Sequence, residues 1–258
     1  MKVYCAEPSG ILKELIMKVY CAEVGDLKQY ISKESPELPK FNILFSYYYQ
    51  QNLEIYLLYA NNILIDSGAF TLQQRKNVSF DKYFHNYKKF IEKHKNNEVV
   101  QGFFELDVPD IIGYDAVKEY RKYLFEITDK IIPVWHRSLG VSEFKKMCHD
   151  YEYIGISCVK DRSIPRNKYW KFVKYAHQNN CKIHGLGMLR PNILNEVPFD
   201  SVDGTGWFCA ARFGEYKNKR LNSSYIRENR FKLVYIELME HIRLQQKMHR
   251  KWRNYHHD

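Results

Sequence analysis

The sequence predicts an α/β chain folded as a single-domain (β/α)8 TIM barrel, and three observations predict it. Short apolar segments alternate with longer amphipathic ones, and such alternation builds a parallel sheet, because parallel strands need a crossover that a helix supplies. Eight such strands can be placed, the number at which a parallel sheet closes on itself. An open doubly wound sheet is the alternative, but no Gly-x-Gly-x-x-Gly phosphate turn follows the first strand. A chain of 258 residues, 45% of them hydrophobic, is long enough to bury one large core, so one domain is expected over 1–258.

The elements follow in order. The heptapeptide Met-Lys-Val-Tyr-Cys-Ala-Glu occupies Met1–Glu7 and recurs at Met17–Glu23. A single short recurrence is not a solenoid; residues 1–16 are expected to be a duplicated, dispensable start. The first strand then falls at Val19–Cys21 and leads into a helix at Asp26–Ile31. Further strands are expected at Asn42–Phe45, Asn62–Ile65, Phe103–Leu106, Ile131–Trp135, Tyr153–Ile156, Lys182–Leu186 and Ser201–Val202. Between them, Phe80–Lys95, Tyr114–Thr128, Val141–Tyr151 and Lys168–Asn179 carry apolar or aromatic residues at helical spacing with charges between. Tyr225–Tyr255 reads as a long basic C-terminal helix ending in Lys247-Met248-His249-Arg250-Lys251-Trp252-Arg253.

Forty Lys and Arg against 30 Asp and Glu leave a net charge of +10, alongside 21 tyrosines. That balance fits a polyanionic partner such as nucleic acid, and equally fits Lys-rich solvated helix faces. No apolar stretch approaches the roughly 20 residues of a membrane span, and Lys13 and Glu14 interrupt the apolar start, unlike a signal peptide. A cytoplasmic protein without a membrane partner is expected. Six cysteines, Cys5, Cys21, Cys148, Cys158, Cys181 and Cys209, form no Cys-x-x-Cys pair, so buried free thiols are expected in place of disulfides or zinc.

Three aspartates, Asp66, Asp107 and Asp203, each end an apolar run and precede Gly, Ser, Thr or Pro. If the strands close, Asp66, Asp107, His136, Ser157, His184 and Asp203 fall at or just beyond strand ends and converge on one mouth, where barrel enzymes keep their chemistry. Singly, each has a plainer role: an Asp or Ser after a strand often caps the next helix, and an edge His often satisfies a carbonyl. Six in one register point to a site. Without a His-x-His or Asp-x-Asp cluster, no metal is expected. Carboxylates so placed suit attack at a glycosidic carbon, one acting as nucleophile while a second, made less acidic by burial and a like charge, moves the proton. Asp203 and Asp66 are the candidates.

These pieces resemble the tRNA-guanine transglycosylases. Asp66-Ser67-Gly68-Ala69-Phe70 is similar to that family's Asp-Ser-Gly-Gly-(Phe/Tyr) motif. Asp107, in Glu-Leu-Asp-Val-Pro, corresponds to the family's base-recognising Asp, and His136 occupies the place of a Gln that contacts the base. Gly155 lies in a shortened counterpart of a Gly-Gly-Leu-Ala loop, reading Gly155-Ile156-Ser157. His184-Gly185-Leu186-Gly187 is similar to Met-Gly-Val-Gly, and Asp200-Ser201-Val202-Asp203 matches an Asp-x-x-Asp pattern whose second Asp is the nucleophile. The likeness runs in order from Asn62 to Trp207. It departs in lacking the family's Cys-x-Cys-x-x-Cys zinc subdomain, and in reading Gly-Thr-Gly-Trp where the family is Arg-rich. Small zinc-free chains of this kind resemble the phage and bacterial branch that exchanges guanine in DNA for a 7-deazaguanine.

The resemblance implies that Asp203 attacks the anomeric carbon, Asp66 deprotonates the incoming deazaguanine, Phe70 stacks on the base and Asp107 accepts from its N–H edge, with no metal or other cofactor. Ser67, Gly68, His136, Gly155, Ser157, His184 and Gly185 complete the expected base site. The target guanine is expected to be flipped or single-stranded, with Arg250, Lys251 and Arg253 holding phosphates or forming a solvated helix face. Localisation would be the cytoplasm, that of the host if the chain is phage-encoded. Exchange in tRNA, hydrolysis of a small glycoside, and a catalytically silent nucleic-acid-binding subunit are the alternatives.

Overall fold

Nine hydrogen-bonded segments make the main sheet among the described residues: β1 (Lys18–Ala22), β2 (Phe41–Ser46), β3 (Ala60–Asp66), β4 (Val100–Phe104), β5 (Ile131–Ile132), β6 (Val134–Trp135), β7 (Tyr153–Ser157), β8 (Lys182–Leu186) and β9 (Ser201–Gly204). The computed structural model describes residues 17–22, 39–75, 78–157, 164–217, 219–253 and 255. The first heptapeptide copy, the helix expected at Asp26–Ile31, Cys5 and Cys158 lie outside the described residues.

The strands are parallel in the order β5-β4-β3-β2-β1-β9-β8-β7-β6. The two ends of that order, β5 and β6, are halves of one stave. Pro133 separates them because it has no N–H to give a neighbour. The first half pairs with β4 through Phe103↔Ile131 and Phe104↔Ile132, and the second with β7 through Val134↔Gly155 and Trp135↔Ile156. The Pro133 carbonyl accepts from the Gly155 N–H at 2.7 Å. The ring therefore closes, and the expected eight-stave barrel forms with its fifth stave broken where one continuous strand was expected.

Side chains alternate across each strand. Tyr20, Leu44, Leu64, Phe104, Ile132 and Val134 cluster inside the barrel, so the interior is a packed plug. Ile43, Phe45, Ile63, Ile65 and Phe103 belong to one outer cluster, against helix residues such as Phe84, Tyr87 and Leu124. A second outer cluster joins Ile154, Ile156 and Ile183 to Phe144, Tyr169 and Val173. Each such fully buried side chain stabilises the fold by about 1.5–3 kcal/mol.

The helices are α1 (Leu53–Tyr59), α2 (Ala69–Leu72), α3 (Phe80–His94), α4 (Pro109–Ile112), α5 (Tyr114–Phe125), α6 (Gly140–Asp150), α7 (Arg166–Gln178), α8 (Pro191–Leu194), α9 (Cys209–Phe213) and α10 (Ser223–Trp252). In α3, Ser79 caps the start by accepting from the Lys82 N–H (3.4 Å), and Phe84, Tyr87, Ile91 and His94 bury one stripe. The long final helix starts at Asn222, whose side chain accepts from the Ser224 N–H (2.9 Å). It kinks at Asn229 (φ −112°, ψ 18°), where that side chain donates to the Tyr225 carbonyl (3.0 Å) and competes with the helix ladder. A two-residue hairpin, β10 (Glu215–Tyr216) with β11 (Lys219–Arg220), precedes it. No helix among the described residues is long and apolar enough to cross a membrane.

Candidate active site at the C-terminal rim of the barrel

Because every stave runs the same way, all the strand C-termini open on one rim. Asp66 is the last residue of β3 and lies opposite Ser46, the last residue of β2. Its Oδ2 accepts from the Gly68 N–H at 2.8 Å and faces the Ser46 hydroxyl at 3.5 Å. Burial raises its pKa to about 6; the Gly68 N–H opposes this, while the negative charges of Asp203 and Asp107 add to it.

Gly68 secures the turn. It adopts φ +79°, and a Cβ there would lie 2.7 Å from the Tyr83 hydroxyl and 3.1 Å from the Tyr48 backbone nitrogen. Tyr83 in turn donates to the Ser67 carbonyl (2.8 Å). Gly68→Ala is expected to lower stability by about 1–3 kcal/mol, measured as a lower urea midpoint with unchanged slope; an unchanged midpoint contradicts the account. Ser67 is buried, and its hydroxyl has no hydrogen-bond partner among the described residues. Phe70, on α2, is 64% exposed beside the rim.

Asp107 lies three residues past β4, and its Oδ1 meets His136 Nε2 at 2.6 Å; His136 follows β6 directly and is buried. Behind Asp107, Glu105 and Arg121 form a buried two-point ion pair, Nε to Oε2 at 2.7 Å and a terminal guanidinium nitrogen to Oε1 at 3.1 Å. Glu105 Oε1 also accepts from the Val134 N–H at 2.6 Å, directly after the Pro133 break. β4 was expected to run through Leu106. It stops at Phe104 because the Glu105 side chain takes over the bond to the next stave.

Asp203 lies inside β9, opposite Tyr20 on β1, and is buried. Its Oδ1 accepts from the Gly187 N–H at 2.9 Å and faces His184 Nε2 at 3.0 Å. His184 was expected at a strand end. It sits mid-strand in β8 with no exposure, its ring against Phe104 (centroids 5.0 Å) and Tyr20 (6.3 Å). The other ring nitrogen contacts the Ser201 hydroxyl, which contacts the Tyr153 hydroxyl. Sequence reasoning missed Tyr153 and Ser201, because an inward residue one layer below a rim has no motif of its own.

Ser157 ends β7 and is buried. Gly155 and Gly185 serve packing. A Cβ at Gly155 would meet Leu186 and Phe104 at 3.1 and 3.2 Å, and one at Gly185 would meet Met188 Cβ at 2.8 Å, in an outer cluster. Arg250, Lys251 and Arg253 are exposed at the end of α10. Neighbouring Trp252 donates its indole N–H to the Leu194 carbonyl (2.9 Å), and Tyr255 packs on Trp170 (5.8 Å), which seats this basic run beside α8 and α7.

A cleft of about 730 Å³ lies elsewhere, outside the barrel between the segment Tyr47–Glu54 and α3; it contains none of the rim carboxylates. Among the described residues no group of three or more His, Cys, Asp or Glu could hold a metal ion. Cys21, Cys148 and Cys181 are buried free thiols, and Cys209 is a half-buried one.

No protein-family model matches the chain. No curated protein matches it either. Among solved structures, it is similar to a protein from Agrobacterium tumefaciens str. C58, provisionally assigned as a glycerophosphoryl diester phosphodiesterase, at TM-score 0.37 and 10% identity over 60% of this chain and 58% of that one. The chain thus spans less than two thirds of that protein's length. The barrel assignment rests on the strand order and its closure.

Proposed function

We propose that the rim is a glycosyl-transfer site that exchanges guanine in DNA for a 7-deazaguanine through a covalent aspartyl intermediate. One observation carries the chemistry: two acidic groups share the rim in opposite settings. One oxygen of Asp203 accepts from the Gly187 N–H and meets His184 Nε2, which holds the carboxylate in place as a nucleophile needs. Asp66 is pushed up to about 6, as a group that gives and takes a proton near neutrality needs. The choice of guanine and DNA draws on the motif order from Asp66 to Asp203 and on the +10 charge.

In the first half, an Asp203 oxygen bonds the anomeric carbon as the C–N bond to guanine breaks, and Asp66 protonates the departing base. In the second half, Asp66 takes the proton of the incoming deazaguanine, whose nitrogen displaces the aspartyl ester. Phe70 is exposed where a flat base would stack, and the Ser67 hydroxyl, without a partner among the described residues, offers it a hydrogen bond. Asp107, held by His136, would accept from the guanine N–H edge, which adenine does not present.

Asp66 is neutral below about 6 and charged above it, so adduct formation should fall, and adduct breakdown rise, as pH passes through about 6. In Asp66→Asn both inflections should vanish; their survival would assign the proton transfer to another group. The folded chain also keeps this proton up to about 6 whereas an unfolded Asp releases it near about 4. Folding therefore becomes less favourable across that interval as pH rises.

The function is tested by incubating the chain with labelled guanine and either duplex DNA, single-stranded DNA or tRNA. Label should enter DNA and be displaced by a 7-deazaguanine. Label in tRNA alone would change the polymer, abasic sites without incorporation would make the enzyme a hydrolase, and inertness toward all three would reject the proposal.

A further inference from the structure

The interior of the barrel contains a chain of polar groups of which the rim chemistry above uses only the last link, His184 to Asp203. Tyr153, Ser201 and His184 are joined hydroxyl to hydroxyl to ring, and the ring meets Asp203 Oδ1 at 3.0 Å. All lie on the inward faces of three consecutive staves, β7, β8 and β9, and His184 has no solvent exposure. Buried polar groups persist only when paired, so the chain has an order that satisfies each member. Asp203 Oδ1 accepts from the Gly187 N–H and meets His184 Nε2 as an acceptor too, so Nε2 donates and Nδ1 is the nitrogen that faces Ser201. Ser201 then accepts from Tyr153 and donates to His184 Nδ1, which leaves Nε2 carrying the proton and pointing at Asp203.

Both donors to Asp203 act on the same atom. His184 Nε2–H and the Gly187 N–H meet Oδ1, and Oδ2 has no donor among the described residues. Nucleophilic attack needs one oxygen unencumbered, and ester breakdown needs somewhere for the returning negative charge to rest. We propose that His184, backed by Ser201 and Tyr153, is the positioning residue of Asp203: it pins Oδ1 through its Nε2–H and leaves Oδ2 as the attacking atom. The inference rests on Asp203 being the nucleophile.

The consequence for the reaction is directional. When Oδ2 bonds the anomeric carbon, Oδ1 becomes an ester carbonyl and its hydrogen bonds weaken. When the incoming nitrogen displaces the ester, the electron pair returns to the carboxylate and both bonds strengthen. Interactions stronger at the developing charge than at the ester accelerate that second step. The hydrogen-bond chain should therefore matter most for adduct breakdown. No oxidant, metal or added reactant is required.

Two measurements on the full chain separate this inference from the proposed function. The first is nitrogen-15 NMR of the histidine rings in the unliganded protein. It should show the His184 Nε2–H tautomer, with the Nδ1 resonance moving in Ser201→Ala; an Nδ1–H tautomer, or no response to Ser201→Ala, overturns the inference whatever the substrate. The second is single-turnover kinetics with guanine DNA. Ser201→Ala and His184→Leu should slow adduct breakdown, His184→Leu by roughly 100-fold, with the dissociation constant for guanine DNA unchanged. His184→Gln, which keeps a donor toward Oδ1, should recover most of that loss. Equal slowing of formation and breakdown, or failure of His184→Gln to recover, overturns the inference. Wild-type protein that shows the Nε2–H tautomer but exchanges no guanine would leave the hydrogen-bond chain standing and reject the proposed function. If His184→Leu does not fold, Ser201→Ala and the wild-type tautomer still decide.

Discussion

Asp203→Asn should yield a folded protein that forms no denaturant-resistant adduct with guanine-containing DNA and exchanges guanine at least about 10⁴-fold more slowly. The fold survives because an Asn carbonyl accepts from the Gly187 N–H and from His184 in the place of Oδ1. The chemistry does not survive, because an amide nitrogen stands where the attacking oxygen was. Denaturing electrophoresis of the protein-DNA mixture reads the adduct, and circular dichroism reads the fold. Should an adduct persist, the nucleophile is Asp66 or Asp107. It would not be Asp200, the other acid of the Asp-x-x-Asp pattern. Asp200 precedes β9 at the opposite end of the barrel, where its Oδ2 is engaged by the Ile183 N–H (2.7 Å) and His177 (2.8 Å) and its carbonyl by the Lys18 N–H (2.9 Å).

Arg121→Ala should cost about 3–5 kcal/mol of stability, because it strands the Glu105 carboxylate in the interior without its partner. The side chains of this pair are 3% and 1% exposed, so water cannot replace the lost cation. The location sharpens the effect. Glu105 also takes the Val134 N–H at the Pro133 break, where the fifth stave passes from pairing with β4 to pairing with β7. Weakening it loosens the seam that closes the ring. Glu105→Gln combined with Arg121→Met should recover much of the loss, since both charges then leave together. A urea titration showing a loss below about 1 kcal/mol for Arg121→Ala would mean that the seam is held by packing alone.

The strands were legible because short continuous apolar runs, buried on both faces in a parallel sheet, stand out against amphipathic segments. Staves such as Asn42–Phe45, Asn62–Ile65 and Lys182–Leu186 coincide with β2, β3 and β8 to within two residues at either end. The Pro133 break was not legible: the residue is visible, but whether a proline in a strand is tolerated depends on which neighbours lack its N–H. Short rim helices such as α2, α4 and α8 also escaped, because one turn carries no period.

The residues at the rim divide in the same way. A carboxylate after an apolar run is a local pattern, so Asp66, Asp107 and Asp203 could be named from the chain alone. His184 was found for its neighbouring glycines, yet its place is inside the plug. Gly155 and Gly185, named for a loop resemblance, make room for Leu186, Phe104 and Met188.

By itself the sequence determined the alternation of strands and helices, the count of staves and the acids that follow them, since each is a matter of residue type and spacing along the chain. The tertiary structure alone decided which atoms meet. The Asp107–His136 and Glu105–Arg121 pairs and the line from Tyr153 through Ser201 and His184 to Asp203 join residues of different elements, brought together by strand register and, for Arg121, by the packing of α5 on the barrel. Hydrogen bonds and pKa shifts depend on distance and burial, which exist only once the ring has closed.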